Sequence, residues 1–177
     1  MQSENLKDLI KVAREGDLAS FEKIVKLFER RVYGFVYRHV NNREDAEDLT
    51  QEVFIKLFKK FATYDPAQTF TTWLFTIATN TIYDHLRKVR GKQDLLIIDD
   101  PEMPLETADA SNAYISVEAS VDVGKALEKI KPTYRTVLLL FYRDELSCEE
   151  IAGILKKPIG TIKTHLARAR AALKEVL

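Results

Sequence analysis

Apolar residues recur at every third or fourth position along most of this chain, the spacing that places them on one side of an α-helix. In the first half, breaks at Gly16, Asn41-Asn42 and Tyr64-Asp65-Pro66 separate four predicted helices. These cover about residues 6–16, 17–41, 43–61 and 69–90. The pattern fades between about residues 91 and 118 and then resumes, which predicts further helices over about 117–130 and 134–142.

Composition agrees with a helical protein. Glycine (6) and proline (5) are sparse among the 177 residues, of which 46% are hydrophobic. We therefore expect an all-α fold with two small helical domains, residues 1–92 and 118–177, joined by a flexible linker at 93–117. Neither a secretory leader nor a long apolar run is present, which predicts a soluble, cytoplasmic protein without membrane insertion.

The stretch from Ser147 to Lys174 predicts a helix-turn-helix. Ser147 and Glu150 have the spacing of a capping box at the start of the first helix. The turn falls at Lys156-Lys157, and Pro158 suits the first position of the second helix because its missing N–H costs nothing there. An ordinary helical hairpin with a solvated charged face is the alternative, but the coincidence of cap, turn and proline favours the helix-turn-helix.

The second helix of this motif carries two different faces. One face carries Lys163, Thr164 and Arg168, with His165 near its edge. The other face is apolar and consists of Ile159, Ile162, Leu166, Ala169 and Leu173. A cationic, hydrogen-bonding front on a packed helix suits the major groove of duplex DNA.

The formal net charge of zero hides an uneven distribution. Residues 91–120 hold one basic and seven acidic side chains, a net of −6, so the predicted linker is acidic. Residues 121–177 hold eleven basic and seven acidic side chains, a net of +4. The C-terminal domain is therefore basic, as a nucleic-acid-binding domain is expected to be.

The predicted third and fourth helices carry candidate binding surfaces. The third begins with acidic and ends with basic side chains, which complements the helix dipole, but Gln51 and Phe54 on its acidic flank indicate a partner-protein surface. The fourth carries Phe70 and Trp73 near its start and a basic end, a combination that suits unstacked bases and their phosphates. The alternative is that both aromatic residues belong to the core.

Three stretches together resemble the bacterial sigma factors of the extracytoplasmic-function (ECF) group, in that family's order and spacing. The helix of region two that docks on the clamp-helix coiled coil of the RNA polymerase β′ subunit is similar to EDAEDLTQEVF. The segments that melt and read the start-proximal promoter element are similar to TFTTWLFTIATNTIYDHLRK. Region four, which reads the upstream element and contacts the β flap tip, is similar to KPTYRTVLLLFYRDELSCEEIAGILKKPIGTIKTHLARARAALK.

The resemblance implies roles for individual residues. Binding of core polymerase falls to Asp45, Asp48, Gln51, Glu52 and Phe54. Promoter melting and reading of the start-proximal element fall to Phe70, Trp73, Asn80, Arg87 and Lys88. Reading of the upstream element falls to Lys163, Thr164, His165 and Arg168. His165 stands where members often carry Arg, and Ala167 where a larger side chain is common, so the resemblance leaves the exact upstream sequence open.

The implied function is that of an alternative sigma factor, which directs core RNA polymerase to promoter DNA and is held in check by an anti-sigma factor. The acidic linker matches the family's connector toward the polymerase active-site cleft, where its charge could mimic nucleic acid. Two other functions remain open from the residues alone: an ordinary helix-turn-helix repressor or activator, and a helical adaptor protein. An enzyme is not expected, and neither a cofactor nor a metal is, because the three histidines have no ligand spacing and no Gly-rich phosphate loop is present.

Overall fold

The computed structural model of this protein describes residues 2–91 and 121–177, with side chains in 6–91 and 123–177. The part of the chain so described is built from helices and contains no strand, which confirms the all-α prediction. The linker predicted at 93–117, its proposed charge mimicry, and the predicted helical residues 117–120 lie outside the described residues. The chain divides into two compact units, Met1–Ile82 and Tyr83–Leu177.

The first unit contains α1 (Gln2–Arg14), α2 (Leu18–Val40), α3 (Arg43–Lys60) and the first part of α4 (Phe70–Arg90). A single 3₁₀ turn, Phe61–Thr63, follows α3. The apolar stripes of α2, α3 and α4 form its core, in which the following side chains have no measurable exposure: Ile24, Val32, Phe35, Val36, Ala46, Val53, Leu57, Leu74, Phe75, Ala78 and Ile82. Burial of these stripes is the main force that holds the helices together.

Side-chain caps set the ends of α2 and α3. The carboxylate of Asp17 accepts a hydrogen bond from the Ser20 amide at 2.8 Å, and this bonding lowers the pKa of Asp17. Asn41 ends α2 in the left-handed conformation, with φ of 48°. Asn42 then accepts from the Asp45 amide at 3.0 Å and starts α3. The two helices therefore reverse direction across two residues, as the sequence predicts.

The second unit contains the end of α4, from Tyr83, and α5 (Val121–Lys129), α6 (Pro132–Leu138), α7 (Cys148–Leu155) and α8 (Ile159–Val176). A π-helical turn, Leu139–Arg143, extends α6. Within this unit the Tyr83 hydroxyl donates to the Thr136 hydroxyl at 2.9 Å, and burial raises the pKa of Tyr83 to about 12.

Arg135 is the most deeply buried charged side chain in the described part of the second unit, at 2% exposure. It donates to the carbonyl oxygens of Leu127, Glu128 and Ile130 at 2.7, 2.9 and 3.3 Å. These are carbonyls at the end of α5, which has no further helical turn to satisfy them. Arg135 therefore joins α5 to α6, and its burial lowers its pKa to about 10.

Two expectations about the start of α8 need correction. Pro158 is not the first helical residue but the N-cap, because its ψ is an extended 146° while its carbonyl already accepts from the Ile162 amide at 3.2 Å. Ile159, expected on the apolar face, is 36% exposed. The helix begins one residue later than predicted, and Ile159 is its first residue.

Candidate functional site

An open groove of about 500 Å³ runs between α2 and α3. Its walls are mainly apolar, and two of its side chains, Ile55 and Phe58, are 53% and 51% exposed. Phe21 on α2 forms the opposite wall and meets the Phe58 ring edge to face at 5.1 Å. Large apolar side chains that are about half exposed to solvent along one groove are typical of a surface that binds a partner.

The predicted polymerase-binding residues lie along this groove or beside it. Gln51 and Phe54 line the groove, Gln51 as an exposed side chain and Phe54 as a buried one. Asp45, Asp48 and Glu52 are spaced by three and four residues, which places them together on the adjoining face of α3. The Glu52 carboxylate pairs with Lys56 at 2.7 Å. The result is an apolar groove with an acidic border.

The start of α4 lies in an aromatic cluster. The Phe70 ring contacts those of Phe28, Phe61, Tyr64 and Trp73 at centroid distances of 5.4, 6.0, 5.6 and 5.9 Å. Phe70 is only 4% exposed, so its ring is a core element here and not an open stacking platform. The alternative noted from the sequence, that this aromatic residue belongs to the core, therefore describes Phe70.

Trp73 remains half-buried, and its ring also lies 5.0 Å from that of Tyr64. Asn80, two helical turns later, is exposed. Near the end of α4, Lys88 is exposed and Arg87 pairs with the Asp84 carboxylate at 3.1 Å. Within the first unit, Trp73 and Asn80 are seven residues apart on α4 and share a face. Polar and aromatic groups along one helical face can meet both bases and phosphates.

The helix-turn-helix forms as the sequence predicts. The Ser147 hydroxyl accepts from the Glu150 amide at 3.1 Å, and the Glu150 carboxylate accepts from the Ser147 amide at 2.9 Å. This reciprocal pair completes the predicted capping box of α7. Lys156 then ends α7 in the left-handed conformation, with φ of 53°.

On α8, three of the four predicted groove-facing residues lie on the open side. Lys163 is exposed, Arg168 is half-buried, and the Thr164 hydroxyl, also half-buried, donates to the Gly160 carbonyl at 3.0 Å. His165 differs from expectation, because it is 8% exposed and its ring lies 5.7 Å from that of Tyr134. Its helical register places it beside buried Ile162 and Ala169, on the packed side of α8.

Sequence reasoning missed some of these features. Tyr64 was read only as a helix break, yet its ring joins the aromatic cluster, and burial raises its pKa. Its hydroxyl donates to the Gln68 carbonyl at 2.7 Å and so fixes the turn before α4. An aromatic residue directly before Asp-Pro was the available signal.

Comparison with known proteins identifies the family. The sequence matches the family models for Sigma-70 region 2 over residues 24–92 and Sigma-70 region 4 over residues 120–173. It is 36% identical to the ECF RNA polymerase sigma factor SigW of Bacillus subtilis, with 97% of this chain and 96% of that one covered. It is 31% identical to the ECF RNA polymerase sigma-E factor of Escherichia coli, covering 97% and 94%.

A solved structure shares the architecture. The sigma factor RpoE of Bartonella quintana, in a co-crystal with the anti-sigma factor NepR, superposes with a TM-score of 0.68 at 26% identity. The match covers 90% of this chain and 97% of that one. Across residues 2–91 and 121–177, no helix has the length and apolar character needed to cross a membrane.

Two DNA-binding helical regions in the family's order, an apolar groove on α3 and full-length similarity to curated members lead to one conclusion. This chain belongs to the ECF sigma factors, the non-catalytic subunits with which bacterial RNA polymerase initiates transcription at specific promoters.

Proposed function

We propose that the α2–α3 groove is the surface on which this sigma factor receives the clamp-helix coiled coil of the β′ subunit. The observation that carries this assignment is the exposure of Ile55 and Phe58 beside Gln51, with acidic Asp48 and Glu52 at the border. A helix laid in the groove would cover the apolar side chains, and its basic residues would meet the border.

The other two surfaces are assigned to DNA. Trp73 and Asn80 on α4 meet extruded bases of the non-template strand, while Arg87 and Lys88 hold phosphates upstream of them. Lys163, Thr164 and Arg168 on α8 enter the major groove of the upstream element. Phe70 and His165 support these surfaces from within and do not touch DNA, since both are less than a tenth exposed.

Neither DNA surface needs to bind tightly by itself. Core polymerase fixes the distance between the two regions, so binding of one raises the effective concentration of the other at the promoter. Specificity then depends on two modest contacts made in register. We propose that this protein acts in transcription initiation in the cytoplasm, which contains both the polymerase and the chromosome.

An anti-sigma factor is the proposed regulator. The similar Bartonella sigma factor is seen with its anti-sigma factor NepR. The exposed apolar groove on α3 offers an inhibitor the same contact that it offers polymerase, so one protein can exclude the other by competition.

Site-specific photo-crosslinking tests the docking assignment. A photo-reactive amino acid replaces Phe58 in the full chain, and Leu27, which is 57% exposed on α2 and does not line the groove, is replaced in the control. On mixing with core polymerase, we expect a crosslink to β′ from position 58 and none from position 27. Crosslinks from position 27 alone, or from position 58 only to another subunit, would overturn the assignment.

A further inference from the structure

A second cleft, of about 940 Å³, lies within the first unit and is separate from the α2–α3 groove. One wall is α1, and the other is the segment from Ala62 to the first turn of α4. None of the surfaces assigned above uses α1.

The α1 wall is basic. Lys7, Lys11 and Arg14 all line the cleft and are all exposed. Their spacing of four and three residues places them on one face of the helix. Together they extend about 10 Å along the helix axis. Glu15 is the one acidic residue lining the described cleft, so the lining carries a net charge of +2.

The opposite wall is a fixed turn. The Tyr64 hydroxyl donates to the Gln68 carbonyl at 2.7 Å, and the Asp65 carboxylate accepts from the Ala67 amide at 2.9 Å. The hydroxyls of Thr69 and Thr72 are hydrogen-bonded at 2.8 Å. These bonds hold the wall open in one shape without a ligand, so little ordering is required when a ligand enters.

The cleft is continuous with the DNA-reading surface of α4. Phe70 and Thr71, the first residues of α4, line the cleft, and half-buried Trp73 follows within the same turn. A chain that crosses the start of α4 therefore passes directly between α1 and the 62–71 segment. Its charge must be negative to match the row of cations.

We propose that Lys7, Lys11 and Arg14 bind successive phosphates of the unpaired promoter strand as it passes from α4 into this cleft. The inference rests on the proposed function of α4 and adds α1 to the strand-binding surface. Two or three phosphates of an unpaired strand fit along the row, which is about 10 Å long. These phosphate contacts do not distinguish one base from another; they fix the path of the strand.

The test uses the full chain in complex with core polymerase. Run-off transcription on genomic fragments first identifies a start site, and the probe is a labelled single-stranded oligonucleotide of the non-template sequence there. The variant is Lys7→Gln/Lys11→Gln/Arg14→Gln. A matched control, Lys23→Gln/Lys26→Gln/Arg30→Gln, removes three exposed cations from α2 that do not line the cleft. A second control, Lys7→Arg/Lys11→Arg/Arg14→Lys, keeps every charge.

Binding is measured from 50 to 200 mM salt. Each lost phosphate contact lowers the salt slope of a single strand by about 0.7, so the loss of two or three contacts lowers the slope by about 1.4–2. Over this fourfold salt range, the affinity of the variant then falls roughly 7- to 20-fold less than that of the wild type. Both controls keep the wild-type slope.

Three other results would each contradict the inference. An unchanged salt slope in the α1 variant would show that these cations make no phosphate contacts. Weaker binding of core polymerase, with an unchanged oligonucleotide slope, shows that the cations contact protein instead. Failure of the wild-type protein to initiate at any genomic site would contradict the proposed function itself. This outcome is distinguished from failure of the α1 inference because it is seen before any variant is made.

Discussion

The imidazole of His165 and the ring of Tyr134 lie 5.7 Å apart, edge to face, within the second unit. The contact joins α8 to α6, so the recognition helix is held by an aromatic pair at the level of its groove-facing residues. His165 is thereby removed from the DNA-facing side, one position after Thr164 and two after Lys163. The pair adds to the packing that holds α8 against α6.

Replacing His165 with alanine is expected to destabilise the protein without changing which promoters it selects. The substitution removes a buried ring from the α6–α8 contact, at a cost of about 0.5–3 kcal/mol. Urea unfolding measures the cost, and binding to a panel of upstream-element duplexes measures the preference. Thr164→Ala on the open side of α8 is the control and should show the opposite pattern. Altered base preference in His165→Ala, with stability intact, would place the imidazole in the groove.

Lys163 is expected to act through a phosphate. Lys163→Ala should weaken binding to all upstream duplexes about equally and lower the salt slope by about one. The Lys163 side chain is exposed and lies on a different face of α8 from buried Ile162 and Ala169. Fluorescence anisotropy on cognate and scrambled duplexes at several salt concentrations gives both quantities. A changed base preference with the slope preserved would identify Lys163 as a base reader.

The α2–α3 groove gives a prediction about polymerase binding. Ile55→Asp should weaken association with core polymerase at least tenfold, about 1.4 kcal/mol, because a carboxylate would be buried in an apolar contact. The free protein should keep its stability, since Ile55 is 53% exposed. Leu27→Asp supplies the matched control with a charge at an exposed position outside the groove. Equal losses in both variants, measured by titration with labelled protein, would exclude the groove as the docking site.

Buried Tyr83 makes the stability of the second unit sensitive to alkaline pH. Below pH 10 its hydroxyl is protonated in both the folded and the unfolded chain. Because burial raises its pKa in the folded protein to about 12, the unfolded chain alone releases the proton between pH 10 and pH 12. The free energy of unfolding therefore falls by roughly 2–3 kcal/mol as pH rises through this window.

Tyr83→Phe isolates this effect because phenylalanine does not titrate. The free energy of unfolding of the wild type, from urea titrations followed by circular dichroism, should fall relative to the variant between pH 10 and pH 12. Near pH 8 the variant should be less stable by about 1 kcal/mol, since the hydrogen bond to Thr136 is absent. Tyr37→Phe, at a tyrosine 37% exposed, serves as the control. A constant difference between wild type and Tyr83→Phe at all pH values would contradict the prediction.

Local signals predicted much of the fold. Asp17, Asn41 and the Ser147–Glu150 pair act within one helical turn, so sequence spacing alone located the ends of α2 and the start of α7. The periodic stripe of α3 was buried as predicted, because a regular helix fixes which side each residue occupies.

The remaining features depend on contacts between distant segments. Phe70 is covered by rings from α2 and from the 3₁₀ turn that follows α3, which no local pattern reveals. His165 lies near the border between the two faces of α8, and its position was decided by Tyr134, thirty-one residues earlier. The basic row on α1 lines a cleft only because the 62–71 segment, about fifty residues later in the chain, lies opposite it.

The central claim is that one helical region opens the promoter, the other holds it as duplex, and core polymerase keeps them in register. Run-off transcription from genomic fragments, with core polymerase of the same bacterium and with or without the protein, tests this most directly. We expect discrete transcripts that require the protein and disappear with Ile55→Asp but not with Leu27→Asp. Transcripts unchanged by addition of the protein, or protein bound to duplex DNA without any initiation, would contradict it.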